Sequence, residues 1–259
     1  MNATALVETT LETYNFLNFP LKYKDKLIKV IDKAFELLGD NLLSITLGGS
    51  GGRGQIVEGW SDIDLYFIIN EYDMDKISEL YQFKEGEIHV GLTFYTLQEV
   101  LNNNINSKTK LMIYEKNTYN FNPTIVGDDY FCNVSYHDIK ENDIKNLPNL
   151  ISEYKKLITE LVIEKEDPRR HHIKKMIILI KSILNYHNIF SFGYEDTILK
   201  FTRLCHDLNY TLTDSRCIDI ISVIEDYENI NNYREEIINF SLSIINFTHK
   251  FCPKYDIIK

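Results

Sequence analysis

Residues 47–70 constrain this chain more than any other stretch. Leu-Gly-Gly-Ser-Gly-Gly-Arg-Gly-Gln-Ile-Val-Glu-Gly-Trp-Ser-Asp-Ile-Asp-Leu-Tyr-Phe-Ile-Ile-Asn joins a glycine-rich turn to an Asp-x-Asp that enters an apolar run. Residues 62–70 read as a buried strand, because they are mostly β-branched, aromatic or aliphatic and end at a polar segment. Side chains alternate along a strand, so Asp62 and Asp64 emerge on one face. Two carboxylates held that close repel and raise each other's pKa unless a cation sits between them. An oxygen-only pair of this kind suits Mg²⁺, which keeps waters and takes further ligands from a nucleotide's phosphates. Upstream, Gly48, Gly49, Gly51, Gly52 and Gly54 let backbone N–H groups approach an anion, while Ser50 adds a hydroxyl and Arg53 a charge.

An isolated Asp-x-Asp more often caps a strand, and glycines more often make a loop. Here the combination decides. Gly-Ser, an Arg-Gly and Ser-Asp-Ile-Asp-Leu, in this order and spacing, resemble the nucleotidyltransferase superfamily of the DNA polymerase β type. The resemblance implies that Gly49 and Ser50 grip a triphosphate and that Asp62 and Asp64 bind Mg²⁺. Within the superfamily the chain is most similar to the aminoglycoside nucleotidyltransferases of the kanamycin 4′ type, which pair this domain with a helical one.

Such proteins carry a third carboxylate on a later strand, in a pattern like Gly-Glu-x-x-Val-acid-hydrophobic. The matching stretch here is Gly86-Glu87-Ile88-His89-Val90-Gly91-Leu92-Thr93-Phe94-Tyr95, with Gly91 where the acid is expected. Glu87 and His89 share the parity of Gly91, but Glu87 is about 13 Å away at strand rise. The expectation is a two-aspartate site that holds one Mg²⁺ and receives a second with the nucleotide.

The rest of the chain supports an α+β fold, with a small mixed-sheet nucleotidyltransferase domain over residues 1–138 and a helical bundle over 139–259. A short helix is expected over 7–19 and an amphipathic one over 22–38, stopped by Gly39. Strands are expected at 42–47, 62–70, 88–95 and 110–115, and helices at 51–57, 74–81 and 97–102. Helical periodicity then fills 147–166, 169–188, 194–209, 215–227 and 233–251, with Pro148, Pro168 and Gly193 at the joints.

A transferase needs a base within reach of the attacking hydroxyl. The family resemblance places it on the first bundle helix, where Glu164 falls at the corresponding carboxylate in Leu157-Ile158-Thr159-Glu160-Leu161-Val162-Ile163-Glu164. Glu160 lies one helical turn earlier and is the alternative. Arg169, Arg170, Lys174 and Lys175 form a basic cluster that either holds the triphosphate or is simply exposed, and Pro168 stands where the family has a lysine. His171, His172, His187 and His206 show no zinc spacing and read as packing or surface residues. Trp60 and Tyr66 flank the aspartates, either walling a pocket or packing.

A net charge of −10 argues against a nucleic-acid partner, which calls for a basic patch. The acidity lies mainly in the first half, with 20 acidic against 12 basic residues over 1–140 and 18 against 16 over 141–259. That distribution suits Mg²⁺ and a cationic small-molecule acceptor. The four cysteines, Cys132, Cys205, Cys217 and Cys252, show no metal spacing, and with no signal peptide or long apolar span they read as reduced thiols of a cytoplasmic protein, monomer or homodimer. The activity expected is Mg²⁺-dependent transfer of a nucleoside monophosphate, AMP from ATP, to a hydroxyl of an aminoglycoside or other antibiotic. The alternatives are a toxin–antitoxin nucleotidyltransferase acting on protein or tRNA, and a catalytically inactive nucleotide-binding module.

Overall fold

The structure, a computed structural model, describes residues 2–13, 19–84, 86–120, 123–131, 133–212 and 220–252. The chain divides into two compact units, Met1–Tyr136 and His137–Lys259.

The first unit is built on a four-stranded mixed sheet of β1 (Leu42–Gly48), β2 (Ile63–Ile69), β3 (Val90–Thr96) and β4 (Thr124–Gly127), in the order β3-β2-β1-β4. β1 runs antiparallel to β2 and β4, and β2 runs parallel to β3. Among the described residues, six α-helices accompany the sheet: α1 (Ala3–Thr13), α2 (Leu21–Leu38), the single turn α3 (Gly49–Gly52), α4 (Met74–Leu80), α5 (Leu97–Leu101) and α6 (Ser107–Thr118).

Strand alternation gives the sheet two different faces. Ile45 and Leu47 of β1, Ile63, Leu65, Phe67 and Ile69 of β2, and Val90 and Leu92 of β3 join one core. α2 covers that core with Tyr23, Leu27, Val30, Ile31, Ala34 and Leu38, all buried at helical spacing. The opposite parity presents Thr46 and Gly48, Asp64 and Tyr66, and Gly91 and Thr93 on the other face.

Residues 110–115, expected as the last strand, belong instead to α6. The buried positions Thr109, Met112, Ile113 and Lys116 have helical spacing, but a threonine and a lysine at two of them hide the period. Asn106 starts the helix by accepting the Thr109 N–H at 2.9 Å, and Lys116 is buried because it bonds Asp129. The fourth strand is the short β4, a four-residue segment too brief to carry an alternation signal. The helix expected over 51–57 is only the single turn α3.

The second unit contains, among the described residues, α7 (Tyr136–Val162), α8 (Arg170–Tyr186), α9 (Glu195–Asp207), α10 (Ile220–Glu225) and α11 (Arg234–Phe251). α7 passes through Pro148 rather than starting beside it. A proline in a helix interior costs about 3 kcal/mol. The seam of Ile139, Leu147, Tyr154, Ile158 and Leu161 spans it, and each such buried side chain contributes about 1.5–3 kcal/mol. Tyr154 Oη and Ser241 Oγ lie 2.7 Å apart and tie α7 to α11, while Phe201, Tyr210 and Phe251 pack against Phe247.

Cys205 and Cys252 are both buried, and burial pushes the Cys252 thiol up to about 12. Cys132 and Cys217, residues 14–18 of the first expected helix and 215–219 of the fourth bundle helix lie outside the described residues. Among the described residues no helix is long and apolar enough to cross a membrane.

Candidate active site

β1 delivers the chain into the glycine turn at Gly49, whose φ of +55° is a left-handed conformation that side chains disfavour. The turn closes through Arg53 N–H to the Gly49 carbonyl at 3.3 Å and Gln55 N–H to the Ser50 carbonyl at 2.8 Å. The chain returns through residues 57–61, where buried Ser61 accepts the Val57 N–H at 2.9 Å and its carbonyl accepts the Tyr23 hydroxyl at 3.0 Å. These bonds anchor the residue before Asp62 to α2.

Asp64 lies in the middle of a row across three strands, paired with Gly48 on one side and Gly91 on the other. A Cβ at position 91 would lie 2.7 Å from Asp64 Oδ1, and one at Gly49 would lie 2.3 Å from Oδ2. The carboxylate therefore rests against bare backbone on two sides. Position 91, where the third acid was expected, has no room for one while Asp64 keeps this rotamer.

The positive charge beside Asp64 comes from α6. Lys108 Nζ donates to Asp64 Oδ1 at 2.7 Å, with the lysine 63% and the aspartate 17% exposed. Asp62 is one-quarter exposed and has His89 Nδ1 at 3.9 Å from its Oδ1. Glu87, the other expected substitute for the third acid, bonds Lys22 at 2.9 Å on the surface.

Arg53 turns toward α6 as well. Its guanidinium lies 2.9 Å from Glu115 Oε2, with the carboxylate side chain 4% exposed, and its Nε donates to Gln55 at 3.1 Å. A buried pair of this kind holds the glycine turn to the helix, and breaking it typically costs about 3–5 kcal/mol. Neither Glu115 nor Lys108 was legible in the sequence, because both belong to the segment whose helical period was masked. Trp60 and Tyr66 are packing residues, with exposures of 5% and 1%, and the Tyr66 ring lies 2.2 Å from where a Gly48 Cβ would stand.

In the second unit, Glu164 stands past the end of α7 rather than on it, with its N–H 3.4 Å from the Thr159 carbonyl, and it is exposed. Glu160 remains on the helix and faces His172, Oε2 to Nε2 3.8 Å. Of the basic cluster, Arg169 pairs with Glu166, and Lys175 with Glu153 at 2.6 Å.

A mixed four-stranded sheet bearing an Asp-x-Asp beside a glycine turn, followed by an all-helical unit, makes an α+β fold. The chain is similar in structure to spectinomycin adenyltransferase AAD(9) from Enterococcus faecialis, solved with ATP and spectinomycin, at a TM-score of 0.54 and 16% identity over 84% of this chain and 98% of that one. No family model and no curated protein sequence matches the chain. The likeness is therefore one of fold.

Proposed function

We propose that this protein transfers AMP from ATP to a hydroxyl of a small cationic acceptor, an aminoglycoside or another antibiotic, and releases pyrophosphate. The observation that carries the reading is the contact between the glycine turn and the aspartate strand. Gly49 packs against Asp64 so closely that a phosphate on the turn would lie beside the Asp64 carboxylate. The fold likeness to an enzyme solved with ATP and an antibiotic supports it.

The donor set of Asp62 and Asp64 fits a hard divalent cation, since both are partly solvent-accessible carboxylates two residues apart and Asp64 already attracts an ammonium group. Mg²⁺ held there would neutralise charge at the α-phosphate. In this reading the backbone around Gly49 and the Ser50 hydroxyl hold the β- and γ-phosphates. Arg53 serves the same purpose indirectly, by fixing the turn to Glu115. Lys108 is one of the site's own cations and occupies the oxygen that a metal would otherwise use. The acceptor oxygen forms a bond to the α-phosphorus as the bond to the bridging oxygen breaks. The acceptor proton goes to Glu164, the base that the sequence resemblance implies, with Glu160 as its rival. A cytoplasmic setting belongs to the same reading, since it supplies ATP and keeps Cys205 and Cys252 reduced.

A specific observation favours a second reading. With Gly91 at the third-acid position and Lys108 on Asp64, the site could bind nucleotide without turning it over. Labelled nucleoside triphosphates incubated with aminoglycosides, spectinomycin, lincosamides and tRNA, with and without Mg²⁺, separate the two. Label transferred to an antibiotic supports the enzyme, and tight ATP binding with no transfer to any acceptor supports the binding module.

A further inference from the structure

The loop between α7 and α8 brings together three side chains whose sequence spacing showed no metal pattern. Ligand atoms of Glu160, His171 and His172 all lie within 4.8 Å of one another. His172 is 98% buried, and its Nε2 has no hydrogen-bond partner, with Glu160 Oε2 at 3.8 Å just out of reach. A buried ring nitrogen left in this state costs about 1–3 kcal/mol unless something satisfies it.

We propose that Glu160, His171 and His172 bind a divalent transition metal of the zinc class, which clips the end of α7 to the start of α8. Two imidazoles and one carboxylate are a donor set that zinc accepts, with water completing the tetrahedron. Tetrahedral ligands at ~2.0–2.1 Å from the metal lie about 3.3 Å apart. The three groups must therefore draw together by up to about 1.5 Å, from a starting spread of up to 4.8 Å. His172 is the fixed member. Glu160 is about one-third exposed and His171 is exposed, so both have freedom to close on it.

The protonation chemistry supports this assignment. Burial and the neighbouring His171 push the His172 imidazole down to about 4, so it is neutral at pH 7. In the metal-free chain the Arg169 N–H donates to Nδ1 at 2.8 Å, which places the ring proton on the unpartnered Nε2. Metal binding takes that position and moves the proton to Nδ1, where the Arg169 carbonyl at 3.3 Å can accept it. A backbone carbonyl is a frequent outer partner of metal-bound histidine. The rearrangement leaves the Arg169 amide without its acceptor, which limits affinity. Two of the nearby cations are paired elsewhere, Arg169 with Glu166 and Lys175 with Glu153.

The test is Co²⁺ and Zn²⁺ titration of the full chain after chelator treatment. It is carried out in an Asp62→Asn/Asp64→Asn background so that the sheet aspartates do not contribute. One equivalent of metal is expected, with a cobalt spectrum of four-coordinate type. His172→Ala removes a buried side chain and can unfold the unit, so His171→Ala and Glu160→Gln carry the decision. Each should weaken uptake by more than the roughly 10- to 100-fold that even outer partners of a metal ligand contribute. No uptake at saturating metal, uptake unchanged in both variants, or uptake seen only when the sheet aspartates are intact would each overturn the proposal. None of these outcomes depends on nucleotide transfer.

Discussion

Gly91 and Asp64 stand directly opposite each other in the parallel β2–β3 register, and the hydrogen face of the glycine lies where a side chain would meet Asp64 Oδ1 at 2.7 Å. Asp64 thus rests where a side chain at position 91 would begin. Gly91→Ala is expected to lower stability by about 1–3 kcal/mol through overpacking. It should also weaken Mg²⁺ binding by turning the Asp64 carboxylate. Chemical denaturation and metal calorimetry on the variant check both effects, and an unperturbed variant would mean that Asp64 uses another rotamer.

Asp62→Asn and Asp64→Asn should each abolish transfer with the fold intact. Their effects on metal-free stability should differ. Asp64 already pairs with Lys108, so removing its charge brings no relief from repulsion, and an exposed pair of this kind contributes only about 0–1 kcal/mol. Thermal melts in chelator should show Asp64→Asn at or slightly below wild type, and the rate assay should show both variants inactive.

Lys108→Met removes the ammonium that competes for Asp64 Oδ1. Mg²⁺ or Mn²⁺ should then bind more tightly, while the rate at saturating metal reveals whether the lysine also contributes charge during transfer. Mn²⁺ titration followed by paramagnetic resonance measures the affinity. Weaker binding in the variant would contradict the competition.

Ser50→Ala is the cleaner probe of triphosphate binding. A branched residue at Gly49 would strike Asp64 Oδ2 as well as the phosphate path and so disturb both halves of the site. Loss of a hydroxyl bond to a charged phosphate should cost about 1.5–3 kcal/mol in nucleotide affinity, read by calorimetry with ATP. Glu164→Gln should lower kcat by about 10²- to 10⁴-fold with nucleotide affinity retained, and a normal Glu164→Gln enzyme beside a crippled Glu160→Gln enzyme would move the base one turn back.

His172 makes the second unit sensitive to acid. Its folded pKa of about 4 lies below the ordinary value near 6.5, so the unfolded chain takes up the proton first. The stability contributed by neutral His172 is present in full above about pH 6.5, is lost as the pH falls toward 4, and changes no further below that. Glu160 on α7 and His171, Arg169 and Glu166 on its other sides are the ionisable neighbours. In chelator, the melting temperature of the wild type should fall more steeply across this window than that of His172→Gln.

Strands β1, β2 and β3 were legible in the amino-acid sequence because their signals are local. Ile63, Leu65, Phe67 and Ile69 alternate with Asp62, Asp64 and Tyr66, and a positive φ at Gly49 needs only the residue itself. α2 was equally plain, since its buried positions are all apolar. α6 was not, because its inward positions include Thr109 and Lys116, and Lys116 is buried only by virtue of Asp129. The end of α7 was also beyond local reading, so Glu164 was placed on a helix that stops at Val162. What only tertiary structure decided is which polar groups meet across elements. Lys108 reaches Asp64 over 44 residues, Arg53 reaches Glu115 over 62, and Glu160 meets His172 across a reversal of the chain. Residue spacing within one element follows from its helical or strand repeat, whereas the approach of two elements depends on how both pack, and no periodicity in either one encodes it.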